Sequence, residues 1–175
     1  MSGTARVLIF TGDGKGKTTA ALGMALRAAG HGLRTCVLQF IKSDLTVGEL
    51  AAVKGLSQIE IRPLGRGFLP DAGDAALGVH RAAAQDGLRT AAQVVAGGQF
   101  AIVVLDEVCL AVARGLLEER EVIGLIRLAP PGVCLVLTGR GATPGLVAMA
   151  DTVTEMLAIR HGLASGITAQ KGVEW

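Results

Sequence analysis

Three short stretches hold the residue types that chemistry on a polyphosphate requires. Residues 11–19 read Thr-Gly-Asp-Gly-Lys-Gly-Lys-Thr-Thr. Gly12, Gly14 and Gly16 let main-chain N–H groups turn toward an anion, with Asp13 and Lys15 between them. Lys17 would set its ammonium on the phosphates, and the hydroxyl of Thr18 or Thr19 would meet Mg2+. Asp106 and Glu107 follow an apolar run. A carboxylate at the end of a buried strand can hold Mg2+, directly or through water; the same pair also suits the start of a helix, against its dipole. Thr138-Gly139-Arg140-Gly141 ends another apolar run. Arg140 offers phosphate a planar fork that lysine cannot copy, or is simply a surface arginine in a turn. Lys15 and Lys42 have the same two readings, phosphate contact or plain solvation.

The glycine loop departs from the usual G-x-x-x-x-G-K-[ST] spacing, because counting back from Gly16 puts Thr11 at the first position. No Ser/His/Asp or Cys/His set is readable, and no general base for hydrolysis stands out. His161 suits either an acid–base group or a structural histidine; His31 and His80 carry no signal.

These stretches need a scaffold, and the apolar pattern supplies one. Strands are expected at 6–10, 34–40, 59–62 (ended by Pro63), 100–105, 133–137 and 152–157. Helices are expected at 17–30, from 48, at 73–96, after Glu107, at 119–128 and at 144–150. Strands alternating with helices imply right-handed crossovers, hence an α/β fold: a mostly parallel sheet of about six strands with helices on both faces. Ligands bind such sheets at the carboxyl ends of the strands. That rule gathers residues 11–19, 39–42, 65–70, 106–107 and 138–141 along one edge.

Composition narrows the class. The 175 residues suit one domain, 1–175. Half are hydrophobic and 18% are charged, so the chain is globular. A net charge of +2 without a basic run, and one Trp, four Phe and no Tyr, give no footing for nucleic acid. The 25 glycines cluster at 12–16, 65–67, 97–98 and 139–141, where loops could approach a ligand. Cys36, Cys109 and Cys134 lie in apolar surroundings at spacings that suit neither a metal site nor a disulfide framework, and read as buried thiols. No apolar stretch reaches membrane-span length and no signal peptide is visible, so a cytoplasmic protein is expected.

In chain order, residues 11–21, Val37-Leu38-Gln39-Phe40-Ile41-Lys42, Gly67-Phe68, Val104-Leu105-Asp106-Glu107, residues 138–141, residues 150–156 and residues 166–174 together resemble one family. It is the P-loop type of ATP:corrinoid adenosyltransferases of the cobalamin pathway, acting on cob(I)alamin or cob(I)yrinic acid a,c-diamide. The resemblance spans nearly the whole chain. It implies a P-loop NTPase-like fold, ATP as co-substrate with Mg2+ or Mn2+, and a homodimer. A Co(I) corrinoid (cobalamin, cobinamide or cobyrinic acid a,c-diamide) would attack the 5′-carbon of ATP and displace triphosphate, with a flavin-dependent reductase as a possible electron source. The nucleotide would lie reversed in the loop.

The resemblance assigns Lys17, Thr18, Glu107 and Phe68 to catalysis. Gly12, Asp13, Gly14, Lys15, Gly16, Lys17, Thr18, Thr19, Lys42 and Arg140 would bind nucleotide, and Thr18, Asp106 and Glu107 the metal. Co(I) is itself the nucleophile, so no residue need activate water. Two departures stand out. The family's Gly-Phe-Thr-Trp over the corrinoid is here Gly67-Phe68-Leu69-Pro70, and about five residues precede the first strand where relatives often carry a longer segment. A corrinoid without the lower nucleotide loop would need less from the missing tryptophan. A binding relative without transfer, or a P-loop ATPase or phosphotransferase, are the alternative functions.

Overall fold

The computed structural model describes residues 5–71, 75–160 and 162–173. Six strands form one sheet: β1 (Arg6–Thr11), β2 (Thr35–Gln39), β3 (Ile59–Pro63), β4 (Ile102–Asp106), β5 (Cys134–Thr138) and β6 (Thr152–Glu155). Their order is β3-β2-β4-β5-β1-β6, and every pairing is parallel. The helices are α1 (Lys17–Gly30), α2 (Gly48–Ala52), α3 (Leu77–Ala96), α4 (Val108–Ala113), α5 (Glu119–Arg127) and α6 (Pro144–Ala148).

The central strands are apolar on both faces because both faces are covered. Alternate residues separate the two sides. Val7, Ile9, Cys36, Leu38, Val103, Leu105, Leu135 and Leu137 pack into the larger core, with Ala84, Ala91 and Val95 of α3 and Val122, Leu125 and Ile126 of α5. Val37, Val104 and Val136 face the other way, toward Ala21 of α1, with Leu8 and Phe10 partly buried beside them. Leu77, Ala84, Leu88, Ala91 and Val95 recur at helical intervals along α3. The last two and Ala84 are buried, while Leu77 and Leu88 pack at the rim.

The boundaries differ from expectation in physical detail. Pro63 closes β3 from within, pairing with Gln39, since an edge strand tolerates a residue without N–H. β6 stops at Glu155 and α6 at Ala148. α3 starts at Leu77, and residues 73–74, part of the expected helix, lie outside the described residues. The Gly97-Gly98 turn leads into β4 and so sits at the amino ends of the strands, away from the edge where ligands bind. Cys36 and Cys109 are buried and Cys134 half-buried, all as free thiols. Burial raises all three, Cys36 to about 11 and Cys109 to about 12. No helix among the described residues is long and apolar enough to cross a membrane.

Candidate active site at the carboxyl edge of the sheet

The chain leaves β1, crosses over β5 and β4 through α1, and re-enters the sheet at β2. The loop after β1 therefore sits beside the ends of β4 and β5. Gly16 takes φ +122, a conformation open to glycine, and turns the chain into α1 without a side-chain cap. The amides at this helix start are left for an anion. Lys17 is buried and folds back, its Nζ donating to the carbonyls of Gly12 at 2.7 Å and Gly14 at 2.6 Å. Burial lowers its pKa, against the pull of the Glu107 carboxylate.

Gly12 and Gly14 have a second duty. A Cβ on Gly12 would lie 2.5 Å from the Met156 carbonyl oxygen, and one on Gly14 would lie 2.7 Å from the carbonyl oxygens of Met156 and Leu157. The Gly14 N–H donates to the Met156 carbonyl at 2.6 Å. The chain leaving β6 thus backs the glycine loop directly.

Behind the loop, Asp106 is fully buried and ties three strands and α1 together. Its Oδ1 accepts from Thr18 Oγ1 at 2.8 Å and from Thr138 Oγ1 at 2.7 Å; its Oδ2 accepts a longer 3.4 Å contact from Gln39 Nε2. The Thr138 hydroxyl in turn accepts from the Glu107 N–H at 2.9 Å. Thr18, rather than the exposed Thr19, carries the engaged hydroxyl. Glu107 stands at φ 62, ψ 18, the one non-glycine residue with positive φ among the described residues. This conformation costs about 1 kcal/mol or more and ends β4 abruptly, so that the side chain turns toward the loop. Glu107 Oε2 is buried and has no hydrogen-bond partner. Burial pushes its carboxyl up, reinforced by the Asp106 charge and opposed by Lys17, Lys42 and Arg140.

A cavity of about 480 Å³ opens over these groups. Residues 15–19, Leu22, Lys42, Gly48, Glu49, Glu107, Gly172 and Val173 line it. Lys42 pairs with Glu49, Nζ to Oε1 at 2.8 Å. Burial is the largest single influence and works against the Glu49 charge, but the hydrogen bond and charge of Lys42, with a backbone N–H and the Gln39 side chain, together outweigh it and hold the carboxyl below its ordinary value. A second cavity of about 560 Å³ is far more apolar and adjoins the first through Lys42 and Glu49; Ile41, Val47, Gly67 and Phe68 line it. Phe68 is fully exposed.

The model of the family described as ATP:corrinoid adenosyltransferase BtuR/CobO/CobP matches residues 4–175. The chain belongs to that family. A corrinoid adenosyltransferase of Pseudomonas aeruginosa is 40% identical over 97% of this chain and 83% of its own length. One from a Sinorhizobium species is 36% identical, over 97% and 79%. One from Escherichia coli K12 is 34% identical, over 97% and 85%.

In this family member the structure brings together most of the residues singled out from sequence. Lys15, Gly16, Lys17, Thr18, Thr19, Lys42 and Glu107 share the first cavity. Asp106 does not line it and reaches it only through Thr18. Arg140 and Asp13 stand at the rim, largely exposed, with Nε and Oδ1 3.8 Å apart. Phe68 belongs to the second cavity. His161 lies outside the described residues. Sequence reasoning missed the parts played by Glu49, Gln39, Thr138 and Met156. The signal for Thr138 was present, since a threonine closing an apolar strand beside an acidic strand end points its hydroxyl at the same edge.

Proposed function

We propose that this chain transfers the 5′-deoxyadenosyl group of ATP to the Co(I) centre of a corrinoid, releasing triphosphate, in adenosylcobalamin synthesis. The observation that carries this reading is the pair of adjoining cavities: one polar and lined by a phosphate loop, one apolar and lined by an exposed phenylalanine, meeting at Lys42 and Glu49. A hydrolase needs only the first. A reaction that joins a nucleotide carbon to a large, partly apolar co-substrate needs both.

The triphosphate would lie over the amides of residues 12–18, with Lys17 released from the Gly12 and Gly14 carbonyls onto phosphate oxygens and Arg140 swinging in from the rim. The cobalt electron pair forms a bond to C5′. The C5′–O bond breaks, and its electrons leave with the triphosphate. These groups act by holding C5′ in line and by stabilising charge on the leaving group. Mg2+ or Mn2+ fits the donor set, because the Glu107 carboxylate presents a buried, unpartnered oxygen and Thr18 lines the same cavity. Glu107 and Thr18 would hold it, with Asp106 orienting Thr18, and it would supply further positive charge to the triphosphate. Phe68 would lie against the corrinoid. A homodimer, a cytoplasmic setting and a reductase partner complete the proposal.

The test is anaerobic incubation of the protein with ATP, Mg2+ and chemically reduced cobalamin or cobinamide. Transfer gives the absorbance change of Co–C bond formation together with intact triphosphate. ADP and phosphate without that change would mean an ATPase instead.

A further inference from the structure

The loop that carries Phe68 is fastened at both ends and bare in the middle. At its start, the Leu64 N–H donates to the Gln39 carbonyl at 2.9 Å, and the Gly65 and Gly67 N–H groups donate to the carbonyls of Lys42 at 3.1 Å and Ile41 at 2.8 Å. Gly65 sits so close to Ile41 that a Cβ there would lie 2.1 Å from its carbonyl oxygen. Leu64 and Leu69 pack against the larger core, with Phe68 fully exposed beside Leu69. After Leu69 the fastening changes in kind. The Pro70 carbonyl accepts a hydrogen bond from Arg114 Nη2 at 2.7 Å, half-buried. Proline contributes a fixed φ but no N–H at this point, so its own main chain cannot donate and the Arg114 side chain supplies the hold at its carbonyl.

Arg114 is not a surface residue that happens to reach the loop. It caps the carboxyl end of α4, the helix that begins immediately after Glu107. The next residue, Gly115, accepts at its carbonyl from Arg81 Nε of α3 at 3.3 Å. A short, stiff helix therefore runs from the strand end at the first cavity to the far anchor of the Phe68 loop.

We infer that Arg114 is a positioning residue for the second substrate: by holding the Pro70 carbonyl it fixes the height and direction of Phe68 over the apolar cavity. The inference rests on the transferase reading and deepens it. Arg114 touches neither cavity, so its loss leaves the nucleotide site intact. The loop then samples other conformations, and the second substrate must bear the ordering cost.

The experiment compares wild type, Arg114→Ala and Arg114→Lys in steady-state transfer from ATP to reduced cobinamide, and in limited trypsin digestion, with cleavage after the exposed Arg66 followed by mass spectrometry. A charge-assisted hydrogen bond of this kind is worth roughly a factor of ten or more. Arg114→Ala should therefore raise KM for cobinamide about tenfold, with KM for ATP and kcat staying within about twofold, the pattern of lost binding that is equal in ground and transition states. Cleavage after Arg66 should become about tenfold faster, since proteolysis follows the open population. Arg114→Lys, which keeps a donor, should recover part of both effects. Unchanged cobinamide KM and unchanged cleavage would overturn the inference. So would a parallel rise in both KM values with a lowered Tm, because that is general damage. Wild-type protein that binds ATP and forms no Co–C bond would end the transferase reading. In that event the digestion would still decide whether Arg114 holds the loop.

Discussion

Replacing Thr138 with valine tests the arrangement behind the glycine loop. The two side chains have nearly the same shape, so the change leaves volume alone and removes only the hydroxyl. That hydroxyl is fully buried; it donates to Asp106 Oδ1 at 2.7 Å and accepts from the Glu107 N–H at 2.9 Å. A hydrogen bond to a charged group contributes about 1.5–3 kcal/mol, and a buried N–H left without a partner costs about 1–3 kcal/mol. These overlap because one group serves both, and a combined loss of about 3 kcal/mol is expected. Domains of this size unfold with about 5–15 kcal/mol in total, so the loss is a large share. At about 2–4 °C per kcal/mol, Tm should fall by about 6–12 °C. Urea titration should show a lower midpoint with an unchanged slope. Thr138→Ser is the control: it keeps the hydroxyl and loses one methyl, for about 1 kcal/mol. If valine costs less than about 1 kcal/mol, or if serine costs as much as valine, then packing at this position matters and the hydrogen bonds do not.

Lys17→Ala should abolish measurable ATP binding by calorimetry; an unchanged affinity would contradict the site. Gly14→Ala should weaken ATP binding at least about tenfold, because its Cβ would lie 2.7 Å from two carbonyl oxygens and the loop must shift. Glu107→Gln and Glu49→Gln should move stability in opposite directions, measured with chelator and no nucleotide. Burial raises the native Glu107 pKa, so its charge penalises the fold once pH climbs from the ordinary glutamate value through the raised one. The glutamine variant should be the more stable above that window and equal to wild type below it. Glu49 is shifted down, so its carboxylate adds stability above the ordinary value, and that stability fades as pH falls through the depressed one. Its glutamine variant should be the less stable at neutral pH, with the gap closing in acid; a gap independent of pH would refute the Lys42 pairing as its source.

The legible parts of this protein were local in sequence. Residues 6–19 hold an apolar run, a glycine loop and a helix start, so strand, anion loop and lysine could be read together. The run ending at Asp106 and Glu107 was equally plain. The parallel order of strands followed from their alternation with helices. What stayed hidden depends on long-range geometry. Thr18 meets Asp106 across 88 positions and Thr138 meets it across 32; local patterns put both threonines at the ligand edge, but only the fold makes them share one carboxylate oxygen. Glu49 looked like the first turn of a short helix, and only the fold brings that turn and Lys42 to the cavity lined by residues 15–19. Gly12 and Gly14 were read as permitting an anion to approach; the structure adds that they permit Met156 and Leu157 to approach from behind. The Gly97-Gly98 turn misled because glycine marks tight turns at either edge of a sheet.

The dependence of the glycine loop on the chain leaving β6 has a dynamic corollary. β6 is the shortest strand and an outermost one, with all four of its residues exposed. Peeling away such a margin requires far less free energy than melting the interior. Yet the carbonyl that Gly14 leans on lies just past its end. Fraying there would slacken the loop at residues 12–16 while the rest of the sheet stayed whole. Amide exchange at Gly14 and along residues 152–156 should then proceed as one unit, and bound ATP should slow both together.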